Sequence, residues 1–378
     1  MRKKLCFVVA SPGTAQAFLR DHIQALSQLY DVYLVANITQ EEQVKGLALA
    51  GWHHINIDRR ISPWIDFKAL LKMIAYLRRM KFDAVHSVTP KAGLITGMAA
   101  RLCGIKHRIH IFTGQYWASR TGLMNWVTKE VDKMIIALDN HILVDGKSQR
   151  AFLVRERLLH EGQAVVFGAG SICGVNAKRF VPNTQVRHQL REEMGINEDV
   201  LTFIFLGRLN HDKGIGELYE AFNRLAGEVK DVFLLFVGSD EEGYLNRISS
   251  YKNIIPGKNF HFYGLTSRPE DLLNAGDVFV LPTYREGFGS SVIEAACVGL
   301  PSICSDAYGV QDAYVENETG LKCMVGDVDS LYQCMRRFYD DPELKDQMGA
   351  NSRERALKEF NGEDITNYWV DYYKELLS

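Results

Sequence analysis

The sequence predicts an α/β protein of two domains, each built on a doubly wound parallel sheet. Short apolar runs alternate with helical patterns through almost all of the 378 residues, and this alternation is typical of parallel sheets. A chain of this length exceeds one ordinary hydrophobic core, so two domains are expected. The apolar fraction of 47% and the charged fraction of 24% are those of a soluble globular protein.

The runs that predict strands are short and are bounded by turn residues. In the first half of the chain they occupy 5–10, 31–36, 84–88, 108–112, 141–144 and 164–167. In the second half they occupy 201–206, 232–237, 259–263, 278–281, 301–304 and 320–324. Helical patterns lie between them, for example at 15–28, 67–80, 216–226 and 290–299. The aromatic and acidic tail at 367–377 predicts a last helix.

The domain boundary is predicted at the polar turn Val181-Pro-Asn-Thr184. This gives an N-terminal domain at 1–180, a C-terminal domain at 181–360 and a final helix at 361–378. The first 180 residues carry 25 Lys and Arg against 13 Asp and Glu, whereas the rest carries 19 against 33. This asymmetry indicates either an anionic surface or ligand for the first domain, or attraction between the two halves.

The sequence argues against a secreted protein, a membrane-spanning protein and a metal site. The apolar stretch after the charged start is too short for a signal peptide, and no apolar run is long enough to span a bilayer. The seven cysteines lack metal-site spacing, so buried thiols in a reducing cytoplasm are expected. Asp327-Val-Asp329 precedes a helical pattern and is interpreted as a helix cap rather than a metal site.

The strongest functional signal is the segment Glu286-Gly-Phe-Gly-Ser-Ser-Val-Ile-Glu294. It follows the predicted strand at 278–281 and runs into the helical pattern at 290–299, which predicts a strand, a glycine turn and a helix. Gly287 and Gly289 allow the backbone to approach a ligand. The helix end presents free N–H groups and a positive dipole. With a carboxylate at each end, this segment suits a phosphate and hydroxyl groups together, as in a nucleotide sugar.

Two cations follow another predicted strand. Arg208 and Lys213 lie in Gly207-Arg-Leu-Asn-His-Asp-Lys-Gly214, directly after the strand at 201–206. Ligands of such sheets bind at the carboxyl ends of the strands, and a guanidinium and an ammonium together suit a diphosphate. The alternative, ordinary surface cations, is weaker beside the strand and the glycines.

These motifs resemble family 4 of the retaining glycosyltransferases, whose two-domain fold is called GT-B. The resemblance covers nearly the whole chain and is carried by Gly-Arg-Leu…Lys-Gly at 207–214, Glu-Gly-Phe-Gly…Glu-Ala at 286–295, Gly299-Leu-Pro301 and Thr319-Gly-Leu321. Segments 89–93 and 170–180 are similar to a branch that builds bacterial surface polysaccharides. The resemblance implies two Rossmann-like domains that face a central cleft, with the C-terminal helix crossing back to the first domain.

The resemblance also implies roles for four side chains. Arg208 and Lys213 would hold the donor diphosphate, and Glu294 would bind the ribose. Glu286 would contact the transferred sugar near its reacting end. Glu286, Arg208 and Lys213 are thereby the candidate catalytic residues.

Backbone groups complete the donor site that the resemblance implies. Gly13, in the loop after the first strand, would approach the phosphates from the opposite domain. The amides of the glycine turn would meet sugar and phosphate oxygens; the turn consists of Gly287, Phe288, Gly289 and Ser290.

The implied reaction retains the anomeric configuration and needs no metal or other cofactor. The donor would be a UDP-sugar, with an N-acetylhexosamine or a hexose of the galactose type. The acceptor would be a lipid-linked saccharide at the inner face of the cytoplasmic membrane, on the path to an O-antigen or a capsule. A cytoplasmic, peripherally bound enzyme with no nucleic-acid partner is expected.

His86 and Lys91 are candidates for the acceptor side. Related enzymes often carry a second histidine where this chain has Val88, and a histidine where it has Thr113. The family's histidine contact with the transferred sugar is therefore not carried over to His86. Two interpretations stay open for it, a residue lining the acceptor side and a buried structural histidine.

A basic stretch at 59–82 has apolar residues at helical spacing, which favours a surface helix packed on the sheet over one that faces anionic lipid. Those residues are Trp64, Phe67, Leu70, Leu71, Ile74 and Leu77. A second apolar patch is predicted near Arg120 and Lys129, from Trp117, Leu123, Met124 and Trp126.

Three other functions remain as alternatives. A UDP-sugar epimerase shares the GT-B architecture, and a non-catalytic sensor would bind the same nucleotide sugars. An NAD-dependent oxidoreductase would need the dinucleotide fingerprint that Gly168-Ala-Gly170-Ser-Ile-Cys-Gly174 nearly spells. Its third glycine is one place late and no clear helix follows, so this segment is interpreted as an interdomain turn.

Overall fold

The computed structural model describes residues 2–58 and 62–378. They form two compact units. The first comprises the chain up to Cys173 together with Gly362–Ser378, and the second is Gly174–Asn361. The observed boundary precedes the one expected after residue 180. The reason is that Val175 forms a parallel bridge with Asn361 and donates its N–H to the carbonyl oxygen of Phe360 at 2.7 Å.

The first unit contains a seven-stranded parallel sheet in the order β3-β2-β1-β4-β5-β6-β7. Its strands are β1 (Lys4–Val8), β2 (Asp31–Ala36), β3 (Gly51–His54), β4 (Ala84–Val88), β5 (His107–Phe112), β6 (His141–Val144) and β7 (Ala164–Val165). Its first helices are α1 (Pro12–Phe18), α2 (Arg20–Leu26), α3 (Pro63–Met80), α4 (Pro90–Leu102), α5 (Gly122–Leu138) and α6 (Lys147–Arg155), with 3₁₀ turns at Glu41–Val44 and Tyr116–Ser119.

The second unit contains a six-stranded parallel sheet in the order β10-β9-β8-β11-β12-β13. Its strands are β8 (Leu201–Leu206), β9 (Val232–Val237), β10 (Phe260–Gly264), β11 (Val278–Leu281), β12 (Ser302–Ser305) and β13 (Gly320–Cys323). Its helices are α7 (Thr184–Glu193), α8 (Ile215–Glu228), α9 (Pro269–Ala275), α10 (Ser290–Cys297), α11 (Val328–Asp340) and α12 (Pro342–Glu359), with 3₁₀ turns at His211–Lys213, Tyr244–Ser250 and Val310–Asp312.

Two parallel sheets with helical crossovers confirm the predicted fold class, and three details differ from expectation. Edge strand β3 was not predicted, because Gly51-Trp-His-His54 is not an apolar run. The helix expected at 15–28 is divided into α1 and α2 at Leu19. The basic stretch expected from residue 59 begins outside the described residues, and its described part forms α3.

The last helix, α13 (Gly362–Leu376), belongs to the first unit and supplies part of its core. Trp369 and Tyr373 of α13 are fully buried. The ring of Trp369 stacks on His22 of α2, with ring centroids 4.5 Å apart, and on His86 of β4 at 5.1 Å. One aromatic residue of the tail therefore joins a helix and the central part of the sheet.

His86 lies inside this core and is completely buried. Its Nδ1 shares a 2.6 Å hydrogen bond with the hydroxyl of Tyr373. Burial, with smaller contributions from His110 and His22, lowers the pKa of His86 well below its ordinary value, so the ring is neutral. Of the two interpretations left open by the sequence, these contacts support the structural histidine.

Replacing Trp369 by Ala should destabilise the first unit by about 3–5 kcal/mol, because a large side chain that contacts both α2 and β4 is lost. The free energy of unfolding, measured by urea denaturation, checks this. Tyr368→Ala is the matched control, since Tyr368 is 48% exposed on the same helix; it should cost less than about 1 kcal/mol. Equal costs for the two variants would contradict the account.

Candidate active site

The candidate site lies where the second sheet changes its direction of winding. The chain leaves β8 toward β9 on one side, whereas it leaves β11 toward β12 on the other. Loops that depart in opposite directions from adjacent parallel strands open a crevice at the carboxyl edge of the sheet. The two loops are named here the β8 loop (207–214) and the β11 loop (282–289).

The β8 and β11 loops are in direct backbone contact. Gly214 closes the β8 loop with φ of +68°, and a Cβ atom there would lie 2.0 Å from the carbonyl oxygen of Pro282. The carbonyl oxygen of Asp212 accepts hydrogen bonds from the hydroxyl of Thr283 and the N–H of Tyr284, both at 2.8 Å. Any side chain at position 214 would therefore separate the loops.

Lys213 and Glu286 face each other across this contact. The ammonium group of Lys213 forms an ion pair with Oε1 of Glu286, and each side chain is 17% exposed. The structure thus brings together two of the three residues that the sequence nominated for catalysis. Their opposite charges are close together and partly screened from water.

A second ion pair, which sequence reasoning missed, lies beside the first. Arg285 donates from Nε and Nη2 to Oδ2 of Asp212, at 3.0 and 2.7 Å. Asp212 immediately precedes Lys213, and Arg285 immediately precedes Glu286. The adjacent opposite charges were visible in the sequence, but their pairing depends on the path of both loops.

Tyr284 braces the β11 loop against the opposite loop and α8. Its hydroxyl donates to Oε1 of Glu217 at 2.5 Å, and its ring stacks on His211 with centroids 4.8 Å apart. Burial and the Glu217 carboxylate raise the pKa of Tyr284 to about 12, so the hydroxyl keeps its proton.

Arg208, the third nominated catalytic residue, pairs with a different acid. Its side chain is 52% exposed and pairs with Glu241 at 3.2 Å, in the loop after β9. Asn210 donates to the same carboxylate at 3.0 Å. Arg208 is thus paired in the free protein with an acid that the sequence did not indicate.

The glycine turn joins β11 to α10 as the sequence predicts. Gly289 is the N-cap of α10 and has φ of +91°, a conformation that favours glycine. It has no side chain to cap the helix, so the first amides of α10 are left for another acceptor. Phe288 is 2% exposed and packs on Phe360 with ring centroids 5.3 Å apart, which anchors the turn in the core.

Glu294 lies on α10 and is partly exposed. Burial raises its pKa to about 7, opposed by Arg179 and assisted by Glu270. Arg179 itself pairs with Glu270 at 2.7 Å. Within the described part of the chain, Glu294 makes no hydrogen bond or ion pair. Its carboxylate is therefore an acceptor to which no donor among the described residues is bound.

The three residues nominated in the first unit lie in different settings. Gly13 is exposed in the first turn of α1, where its N–H donates to Oγ of Ser11 at 3.3 Å. Lys91 lies in the first turn of α4 and binds Asp66 of α3 at 2.9 Å. His86 does not reach the surface of this unit. Gly13 and Lys91 thus lie near the carboxyl edge of the first sheet, whereas His86 belongs to its core.

The remaining sequence signals have structural explanations. Asp327 caps α11 by accepting from the N–H of Ser330 at 3.0 Å, which confirms the predicted cap. The segment 168–174 follows β7 and ends at the unit boundary, with no helix before Thr184. Among the described residues, no group of three His, Cys, Asp or Glu side chains is placed to hold a metal ion. None of the helices that the structure describes is long and apolar enough to cross a bilayer.

Glu294→Gln should stabilise the protein at alkaline pH. The pKa of Glu294 is raised from 4.5 to about 7 in the folded protein, so its contribution to stability falls as pH rises through that window. At pH 8 the variant should gain up to about 3 kcal/mol, and near pH 4 the two proteins should converge. Urea denaturation at both pH values checks this. Exposed Glu220→Gln on α8 is the control, and a gain that is the same at both pH values would contradict the account.

Comparison with known proteins gives a family match and relatives that are similar over most or all of the chain. Residues 186–355 match the family described as "Glycosyl transferases group 1". The chain is 28% identical over 379 residues to the capsular polysaccharide biosynthesis glycosyltransferase CapM of Staphylococcus aureus, covering 100% of this chain and 98% of that one. It is 25% identical over 307 residues to the UDP-Gal:alpha-D-GlcNAc-diphosphoundecaprenol alpha-1,3-galactosyltransferase of Escherichia coli, covering 80% and 78%.

A solved structure shows the same fold. Sucrose-phosphate synthase from Thermosynechococcus elongatus matches with a TM-score of 0.82 over 99% of each chain, at 22% identity. The two sheets, the crevice at β8 and β11 and the family match agree with one another. The chain therefore has the GT-B fold, and its residues 186–355 form a glycosyl transferases group 1 domain.

Proposed function

We propose that this protein is a retaining glycosyltransferase that transfers a hexose or an N-acetylhexosamine from a UDP-sugar to a lipid-linked saccharide. The observation that carries the proposal is the Lys213–Glu286 pair at the crevice, beside the uncapped start of α10. The name of the Escherichia coli relative supplies a UDP-linked donor and a diphosphoundecaprenol acceptor. The Staphylococcus aureus relative acts in capsule biosynthesis. The pathway proposed is surface polysaccharide biosynthesis, for an O-antigen or a capsule.

The donor diphosphate is proposed to lie between Lys213 and the first amides of α10. Both present positive charge to the same part of the crevice. Binding takes Lys213 from Glu286, whose carboxylate is then released toward the hydroxyls of the transferred sugar. Glu294, to which no donor among the described residues is bound, accepts from the ribose hydroxyls. The pairs seen in the free protein are thus exchanged for contacts with the ligand.

The chemical step breaks the bond between the anomeric carbon and the diphosphate oxygen. The acceptor oxygen bonds to that carbon on the face that the diphosphate leaves, and its proton moves to an oxygen of the departing phosphate. Lys213, the α10 amides and Arg208, once released from Glu241, meet the charge that grows on the leaving group. Because this charge grows during the reaction, such contacts stabilise the transition state more than the ground state. The proposed step therefore uses neither a metal nor another cofactor.

The start of α3 offers a surface for peripheral contact with a membrane. Trp64 is 76% exposed, and Phe67 and Leu71 are each 51% exposed. Lys68 and Lys72 lie on the same helix and are also exposed. The predicted packing of α3 on the sheet is confirmed: Leu77 is buried, and Leu70 and Ile74 are partly buried against the same core. The other apolar residues of the predicted stripe face away from that core. Exposed aromatics with lysines are typical of interfacial helices.

The start of α5 carries further exposed apolar residues, with Leu123 75% and Trp126 60% exposed. Trp117 was expected in the same patch, but it is 3% exposed and donates its indole N–H to Asp132 at 2.8 Å. The pairing of Asp66 with Lys91 places the start of α3 next to the start of α4, which follows β4 directly. A lipid-linked acceptor held at such a surface would arrive at the carboxyl edge of the first sheet.

Glu286→Gln should lower transfer from a UDP-sugar by about 10²–10³-fold, while Lys213→Met should also weaken UDP binding. Turnover assays and calorimetric titration with UDP check these effects. Lys230→Met is the control, because Lys230 is exposed before β9.

Two rival functions give other results in the same assays. A UDP-sugar epimerase would isomerise the donor sugar without acceptor. A non-catalytic sensor would bind UDP, and Glu286→Gln would leave its function unchanged. Failure of the wild-type protein to bind any UDP-sugar would overturn the donor assignment.

Wild-type protein should sediment with anionic phosphatidylglycerol liposomes at low salt, and less at high salt, because charge screening weakens the lysine contacts. The variant Trp64→Ala, Phe67→Ala, Trp126→Ala should lose most of this binding. Leu265→Ala is the control, since Leu265 is 80% exposed in the second unit. Liposome binding that is absent at low salt, or equal in the triple variant, would exclude this surface.

A further inference from the structure

We propose that Asp212 and Arg285 are positioning residues, which keep the β8 and β11 loops in register once a donor has separated Lys213 from Glu286. The inference rests on the proposed function. It gives a role to two residues that contact neither the sugar nor the phosphate in the proposed complex. It follows from the arrangement of two adjacent ion pairs across one loop contact.

The two pairs have opposite polarity. On the β8 loop an acid precedes a base, and on the β11 loop a base precedes an acid. All four side chains are only partly exposed, with fractions of 14% for Asp212, 20% for Arg285 and 17% for each of the other two. Each acid has its base directly opposite, so the loops attract one another at two neighbouring positions.

Donor binding leaves only one of the two pairs intact. In the proposed complex the ammonium of Lys213 turns to the diphosphate and the carboxylate of Glu286 turns to the sugar. Without another tie, a polyanion entering between the loops would push the Glu286 carboxylate away from the crevice. The Asp212–Arg285 pair lies one residue away on both loops and is not needed by the ligand.

The geometry of this second pair is suited to holding a fixed distance. Arg285 uses two nitrogens on one carboxylate oxygen, at 3.0 and 2.7 Å, and a planar guanidinium fixes orientation better than an ammonium. The main chain adds to it, because the carbonyl oxygen of Asp212 accepts from Thr283 and Tyr284. The Thr283 hydroxyl also lies 2.9 Å from the carbonyl oxygen of Arg285, so its single proton is shared between the two carbonyl oxygens. The side chain and the backbone of Asp212 together bind three consecutive residues of the β11 loop.

A residue that acts through Lys213 loses its influence on UDP binding when Lys213 is removed. The test is to introduce Arg285→Ala into the wild-type protein and into the Lys213→Met variant. The dissociation constant of UDP is then measured for each protein by calorimetry. Arg285→Ala should weaken binding about tenfold in the first background and less than about twofold in the second. If Arg285 touched the diphosphate itself, the loss would be similar in both backgrounds, and the positioning role would be excluded.

Two further variants keep the test decisive. Arg285→Lys keeps the positive charge but loses the planar guanidinium group, so it should weaken UDP binding less than Arg285→Ala. If the Arg285→Ala variant does not fold, Arg285→Lys takes its place in both backgrounds. Arg336→Ala, which removes an ion pair of α11 with Glu228 and Asp340, should leave UDP binding unchanged. If the wild-type protein binds UDP and Arg285→Ala does not change that binding, the positioning role of Asp212 and Arg285 is overturned but the proposed function is not. No UDP binding by wild type overturns the proposed function.

Discussion

The close approach of the β8 and β11 loops is the constraint on which the rest of the site depends. Gly214 lies against the carbonyl oxygen of Pro282, at a distance that leaves no room for a side chain. This contact sets Lys213 opposite Glu286 and Asp212 opposite Arg285. Partly buried ion pairs are weak contributors to stability, because desolvation offsets much of their attraction. Their concentration at one crevice is therefore better explained by a charged ligand than by folding.

Most of the fold could be predicted because its strands are buried on both faces and read as continuous apolar runs. In the second unit β8, β9 and β11 have the predicted limits. Edge strand β3 was not predicted because its four residues do not form an apolar run: they include two histidines and a tryptophan that is 40% exposed. Helical spacing predicted that α3 packs on the sheet, but it did not separate the buried face from Trp64, Phe67 and Leu71, which are exposed.

The site was predictable up to the choice of loops and no further. Parallel strands end at one edge, so the proximity of Lys213 and Glu286 followed from their positions after β8 and β11. The partners of Arg208 and Arg285 did not follow, because side-chain directions within a loop depend on its three-dimensional path. For His86 the deciding partner, Tyr373, lies 287 residues away along the chain. The residues next to His86 in the sequence cannot indicate a contact with a residue so far away along the chain.

The most direct measurement is a crystal structure of the protein with UDP. The account predicts the diphosphate between Lys213 and the amides at the start of α10, the ribose at Glu294, and the contact between Lys213 and Glu286 broken. UDP bound elsewhere, with the ion pair of Lys213 and Glu286 intact and the β11 loop unchanged, would contradict it.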